Sequence, residues 1–289
     1  MLIDIIISTL INGSVYALLA IGFSLIFGAA RIVNLAHTAF YMVAAYIIYY
    51  AANKMGLNPI WGIIAGLVIV TAFGLLAYKF FIDPIREHEA AVLIATIALG
   101  MIMQEAMLIK FTGNFLSVPS LIEGYEKILG VKVSNQQILT FFVALAVLAV
   151  IWFLLLKTKV GLAIRSTAED REVANLMGMN VSRVAMVTMG VSVALAAFTG
   201  AVVAPLQIVY PGMWMHPLVM MMAVVVLGGL GSLKGSFIGA YILALAEALV
   251  VFLVPMGAYL KGSVALSVMI LVLLIRPEGL FGIAFEEER

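Results

Sequence analysis

Residues 157–183 read KTKVGLAIRSTAEDREVANLMGMNVSR, and this stretch decides how the rest of the chain is arranged. It holds eight of the 31 Asp, Glu, Lys and Arg residues, yet it lies between two long apolar runs. Hydrocarbon cannot hold it, because each charged side chain near the bilayer centre costs roughly 3 kcal/mol. Ser166 and Glu169 have capping-box spacing, which predicts a short helix over about residues 167–177. Gly178, followed by Asn180, tolerates the left-handed backbone that ends it, so the helix is too short to cross a bilayer. Val173, Leu176 and Met177 recur at helical spacing, opposite Glu169, Asp170, Arg171 and Glu172. The residues alone leave two readings open. One is a loop helix lying on its own protein or on lipid headgroups; the other is a helix that docks in a groove of a soluble partner.

Working outward, 65% of residues are hydrophobic, 11% are charged, and the mean hydropathy is +1.19. About a quarter of residues are charged in soluble proteins, so this composition implies a polytopic membrane protein. The expected fold is an all-α bundle of eight or nine transmembrane helices forming a single domain over residues 1–289, with segment 157–183 outside the lipid. A net charge of +1 provides no basic surface for nucleic acid. The absence of cysteine excludes disulfides and thiolate chemistry. His37, His88 and His216 lie far apart and lack metal-ligand spacing, so neither a metal site nor a cofactor is expected. The opening MLIDIIISTLING lacks a basic n-region and a cleavage site, and is expected to remain as the first span.

Apolar runs long enough to span occur near residues 5–28, 60–82, 91–111, 136–156, 184–204 and 258–275, with shorter ones near 38–52, 218–228 and 237–254. Basic loops are retained in the cytoplasm. Alternation puts ten residues on one side: Arg31, Lys79, Arg86, Lys157, Lys159, Arg165, Arg171, Arg183, Arg276 and Arg289. The other side receives five: Lys54, Lys110, Lys127, Lys132 and Lys261, with Lys234 unassigned. Segment 157–183 is thereby expected in the cytoplasm, the N-terminus outside, and the longest outer loop over 112–134.

Close helix packing in lipid relies on small residues four apart. Gly231, Gly235 and Gly239 form one such row, with Ser236, Ala240, Ala244 and Ala248 beside it. Ser192, Ala196, Gly200 and Ala204 form a second, and Ala20, Ser24 and Gly28 a third. Pro205, Pro211 and Pro217 bracket Gln207, Tyr210 and His216, which predicts interrupted helices; such backbone survives at membrane depth only where protein buries it or where it lines a wet cavity. Glu105 and Glu247 fall inside apolar runs, where an ionisable group is either a functional candidate or a hydrogen-bonded structural one. Asn12, Tyr16, Asn34, His37, Thr96, Gln207 and Tyr210 complete the candidates for a pathway, with Gln104 a further polar group beside a span. No hydrolase or metalloprotease motif is present, and GGLGSLKGS lacks the order of a phosphate-binding loop, so the chain is not expected to be an enzyme and any ATP must be bound by another polypeptide.

Several long blocks carry a resemblance. GSVYALLAIGFSLIFGAARIVNLAHTAFYMVAAY over Gly13–Tyr46 resembles the opening of the LivH-type permease subunits of bacterial branched-chain amino-acid ABC importers. DPIREHEAAVLIATIALG, GLAIRSTAEDREVANLMGMN, VVVLGGLGSLKGSFIGA and LIRPEGLFG follow in order, and the start is more similar to LivH than to its partner LivM. The resemblance implies a permease of the cytoplasmic membrane paired with a LivM-type homologue or a second copy. Two cytoplasmic ABC ATPases would bind it and an extracytoplasmic binding protein would deliver substrate. It also implies that Ala168, Glu169, Asp170, Arg171, Ala174 and Gly178 belong to a cytoplasmic coupling helix. Departures from the family pattern are His37-Thr38 for His-Gly, Asp83-Pro84 for Arg-Pro and Gly235-Ser236 for Gly-Ala. Alternatives to branched-chain amino-acid import are a urea or short-amide permease of the same kind, an ion-coupled secondary transporter using Glu105 or Glu247, and a channel.

Overall fold

The computed structural model describes residues 1–282. Arg289 and the end of the tail assigned to the more basic side lie outside the described residues. Eleven α-helices are described: α1 (Leu2–Ala30), α2 (His37–Tyr49), α3 (Pro59–Ala77), α4 (Glu89–Phe111), α5 (Asn135–Lys157), α6 (Lys159–Glu169), α7 (Arg171–Leu176), α8 (Val181–Val203), α9 (Met215–Gly228), α10 (Leu233–Leu253) and α11 (Lys261–Ile275). Seven helical segments are long and apolar enough to cross a membrane, and α9 is a shorter apolar helix. The buried α2, prolonged by a π-helical turn over Tyr50–Lys54, brings the passes between the two faces to nine.

α1 occupies the centre and packs on α5, α6, α8, α9 and α10. Its partners approach closely because the contact positions are small. Ser24 and Ser236 hydroxyls meet at 2.5 Å across the α1–α10 seam, and Ser14 meets the Tyr241 hydroxyl at 2.9 Å. Gly200 of α8 lies under the Tyr41 carbonyl of α2, where any Cβ would collide with backbone oxygen. Gly235 bears the same relation to the Gly228 carbonyl of α9, and a Cβ on Gly239 would stand 2.9 Å from the Val224 carbonyl. Gly231 does not continue that row. It lies in the turn before α10 at φ 80, facing Gly28, so its glycine serves backbone conformation rather than a helix seam.

One face of the bundle carries the end of α1, the α3–α4 turn, α6, α7 and the α9–α10 turn; we call it the elbow face. Contacts tie these parts together: Gly28 approaches both Ala168 and Gly231, and Arg86 reaches Ser182. Nine of the ten basic residues grouped by alternation are at this end, and Lys234, in the first turn of α10, joins them. The opposite face carries Lys54, Lys110, Lys261 and the connection between α4 and α5. That connection contains a two-stranded antiparallel hairpin, β1 (Tyr125–Ile128) with β2 (Val131–Ser134), turned through Leu129 and Gly130 at φ 51 and 90.

Segment 157–183 is organised differently from the expectation. Ser166 does not start a helix, because it lies inside α6, which Thr158 caps by accepting the Gly161 N–H at 3.0 Å. The break falls at Asp170, whose carboxylate accepts the N–H groups of Glu172 and Val173 at 2.9 and 3.0 Å and so starts α7. Gly178 does end the short helix, at φ 83. Asn180, expected to share in that stop, instead caps the next helix through the Arg183 N–H at 2.9 Å. The segment is thus two helices bent at Asp170.

Candidate functional site

Two interruptions bring irregular backbone into the bundle, one from each face. After α1 ends at Arg31, with φ 55, residues 32–36 run back inside; Ile32, Asn34 and Ala36 are buried, and α2 begins at His37 against Gly22 of α1. The first N–H groups of a helix have no internal partner, so a start at this depth requires local acceptors. Asn34 Oδ1 accepts the Ala36 N–H at 3.1 Å, its carbonyl accepts the His37 N–H at 3.2 Å, and Thr96 Oγ1 accepts the Leu35 N–H at 3.3 Å. Asn34 Nδ2 points at Met189 Sδ, and His37 Nδ1 lies 3.3 Å from the Ser192 hydroxyl. His37 Nε2 and Thr38 Oγ1 are buried without a hydrogen-bond partner among the described residues.

The second interruption is residues 204–214. Proline stops α8, and the chain turns in until Trp214 donates to Gln104 Oε1 of α4 at 2.7 Å beside Gly100, before α9 begins at Met215. Val209 and Leu116 exchange both backbone hydrogen bonds, at 2.8 and 2.9 Å, so the connector is paired to the α4–α5 connection. This entry explains why α9 has only 14 residues. Tyr41 joins the two breaks by donating to Gln207 Oε1 at 3.1 Å.

The seven pathway candidates therefore fall into several places. Asn34, His37 and Thr96 meet at the start of α2. Gln207 is joined to them through Tyr41, one turn along, and Tyr210 packs edge-on to Phe115 at 5.8 Å. Tyr16 belongs to a third place, donating to Glu247 Oε2 at 2.6 Å while Lys261 Nζ lies 3.1 Å from Oε1. Among the described residues the Asn12 side chain reaches only Ser8 of its own helix, at 3.3 Å. Glu105 is exposed on the bundle surface, with Gln104 at 3.4 Å. Tyr41, Ser192 and Trp214 complete these clusters; Ser192 was read from the sequence only as a member of a helix-packing row, and Tyr41 and Trp214 were not singled out. Their signal was weak, since a lone aromatic or serine within an apolar run is ordinary in a membrane helix.

On the elbow face, α6 and α7 present the six residues expected to couple. Ala174 is buried and Ala168 faces Gly28, while Arg171 Nη1 donates to the Ala30 carbonyl at 3.2 Å, binding α7 to the last turn of α1. Glu169, Asp170 and Gly178 are exposed. Val173, Leu176 and Met177 are 52, 84 and 78% exposed, an apolar face that nothing in this chain covers among the described residues. Beside it a cleft of about 570 Å³ is lined by Arg86, Arg171, Glu172, Asn175, Asn180 and Ser182 among others. Among the described residues no group of His, Asp or Glu could hold a metal ion.

Residues 5–273 match the family described as branched-chain amino acid transport system / permease component. The chain is 31% identical to the high-affinity branched-chain amino acid transport system permease protein BraD of Pseudomonas aeruginosa, over 93% of this chain and 92% of that protein. It is 29% identical to the corresponding LivH of Escherichia coli K12, again over 93% and 92% of the two chains. The fold is similar to a chain of PsaBC from Streptococcus pneumoniae in complex with Fab, with a TM-score of 0.52 and 19% identity over 94% of this chain and 91% of that one. This multi-pass membrane protein belongs to the family of permease components of branched-chain amino acid transport systems.

Proposed function

We propose that the chain is the membrane subunit of an ATP-driven importer that moves branched-chain amino acids into the cell. It pairs with a homologous permease or a second copy, takes its free energy from two cytoplasmic ATPases, and receives substrate from an extracytoplasmic binding protein. The elbow face is cytoplasmic and the N-terminus lies outside.

The observation that carries this reading is the uncovered apolar face of α7, a short helix tied to the central α1 by the Arg171–Ala30 hydrogen bond and through α6, which packs on α1. Leu176 and Met177 offer a hydrophobic anchor of the kind that inserts into a groove, and Arg171 fixes the same short helix to Ala30. Movement of α7 with a docked ATPase therefore pulls on α1, against which the interrupted α2 begins. Substrate would pass by the two breaks as α1, α2 and α9 shift relative to one another, with Asn34, His37, Thr96 and Gln207 supplying polar groups in an otherwise apolar passage. A ligand-driven change of this sort requires that the nucleotide states of the ATPase bind α7 with different affinity.

The test is uptake of radiolabelled leucine by vesicles containing the permease, its paired permease and the two ABC ATPases, with the binding protein added. Uptake that needs ATP and the binding protein together is expected. Uptake driven by a proton gradient alone would replace this reading with secondary transport, and urea uptake in place of leucine would move the substrate class.

A further inference from the structure

A second cleft, about 420 Å³, opens on the elbow face between the end of α1 and the start of α4. Arg31, Arg86 and Glu89 line it together with Phe27, Val33 and Leu93. Arg31 and Glu89 are exposed, whereas the three apolar residues are half-buried. Arg31 is turned outward because it closes α1 in the left-handed conformation while Ile32 after it is buried. From the cleft, α4 continues with Ile94, Ile97 and Met101 exposed, an apolar strip that belongs against acyl chains.

The charges select among headgroups. Arg86 is already balanced by Asp83, at 3.0 Å, and its guanidinium also reaches Ser182. Arg31 and Glu89 have no side-chain partner among the described residues, so the cleft offers one open cation and one open carboxylate. An anionic headgroup or a free phosphate would satisfy Arg31 and leave Glu89 facing negative charge. A quaternary ammonium carries no N–H for the carboxylate. A phosphodiester ending in a primary ammonium satisfies both, and basic pockets between membrane helices are established seats for phosphate headgroups.

We infer that this cleft binds a phospholipid with a phosphoethanolamine headgroup, its phosphate at Arg31, its ammonium at Glu89 and its chains along α4. The inference needs only that the chain is a membrane protein and is independent of the transported substrate.

Native mass spectrometry of the purified full chain, supplied with equal amounts of phosphatidylethanolamine, phosphatidylcholine and phosphatidylglycerol, reads the preference directly. One ethanolamine lipid per chain is expected, retained about fivefold over either competitor, the scale of one added charge contact at a lipid surface. Arg31→Gln should lower retention of all three lipids, and Glu89→Gln should abolish the preference for the ethanolamine headgroup over both the choline and the glycerol headgroup. Both positions are exposed, and an unchanged melting temperature checks the fold. Retention of phosphatidylglycerol equal to or above phosphatidylethanolamine overturns the inference, as does a preference that survives both substitutions. Displacement of lipid by inorganic phosphate would make this a free-anion site, and loss of the lipid on assembly with partner subunits would make it a protein interface; either result overturns it.

Discussion

The Tyr16 hydroxyl donates to Glu247 at 2.6 Å while Lys261 stands 3.1 Å from the other carboxylate oxygen, so one acidic side chain joins α1, α10 and the start of α11. The Glu247 side chain is 2% exposed and that of Lys261 is 39% exposed. This asymmetry sets the order of effects. Lys261→Met strands a carboxylate that cannot reach water, whereas Glu247→Gln leaves an ammonium free to turn outward and keeps an acceptor for Tyr16. Removing one partner of a fully buried pair costs about 3–5 kcal/mol, an upper bound here because Lys261 is partly solvated. Thermal unfolding in detergent should rank Lys261→Met below Glu247→Gln, with Tyr16→Phe losing about 1–3 kcal/mol. The reverse ranking would mean that the carboxylate is solvated through a route absent from this conformation.

Gly235 and Gly228 let α10 and α9 meet backbone to backbone. A Cβ on Gly235 collides with the Gly228 carbonyl, and neither atom can swing away as a side chain could. Gly235→Ala is therefore expected to cost about 1–3 kcal/mol or more through forced helix separation. Gly262, in the first turn of α11, has nothing among the described residues within 4 Å of its missing Cβ, so Gly262→Ala is the control. It should be neutral or gain up to about 1 kcal/mol from helix propensity. Fluorescence-detected size-exclusion profiles after a heating series would separate the two.

The sequence made the spans legible because hydropathy over about twenty residues is an average that tertiary structure rarely reverses in lipid. Local capping was less legible. Ser166-x-x-Glu169 and Ser134-x-x-Gln137 carry the same signature, yet only the second is used as a capping box, since α6 had already started at Thr158 and ran through Ser166. Asp170 prevailed as the cap because its carboxylate takes two N–H groups at once. The hairpin went unread because Tyr125–Ser134 lies in a polar gap, although Gly130 between alternating residues was a turn signal. Pairings such as Tyr16 with Glu247 are set by which helices pack on α1, and no local pattern encodes that. Interrupted helices were visible from Pro205, Pro211 and Pro217; the gap between the runs at 5–28 and 38–52 was also visible, but not that residues 32–36 run inside the bundle, because IVNLA carries neither proline nor glycine.

Asp170 makes the elbow testable apart from transport. Asp170→Ala removes acceptors for the N–H groups of Glu172 and Val173 and should destabilise α7 by about 1 kcal/mol. Ser166→Ala should leave it intact, since the described residues give that hydroxyl no part in a cap. Amide hydrogen exchange over residues 171–176 is the measurement, with faster exchange expected for the first variant alone. Equal protection in both would show that α7 is held by Arg171 and Ala174 rather than by its cap.

The exposed end of α7 bears the last prediction. Leu176 and Met177 are the most exposed apolar side chains of the elbow, and the neighbouring cleft carries Arg86, Arg171 and Glu172 of both charge signs. If a soluble ATPase seats here, burying Leu176 is worth about 2 kcal/mol of transfer free energy, so Leu176→Glu should weaken association at least about tenfold. Reversing Glu169 and Asp170 together to Lys should also weaken it, by perturbing the rim and the cap. Binding of the purified ATPase to the permease in nanodiscs, followed by biolayer interferometry, reads the effect, and Ile94→Ala on the lipid-facing side of α4 should leave it unchanged. Wild-type binding by Leu176→Glu would remove α7 from the docking surface, leaving its apolar face to rest on lipid headgroups instead.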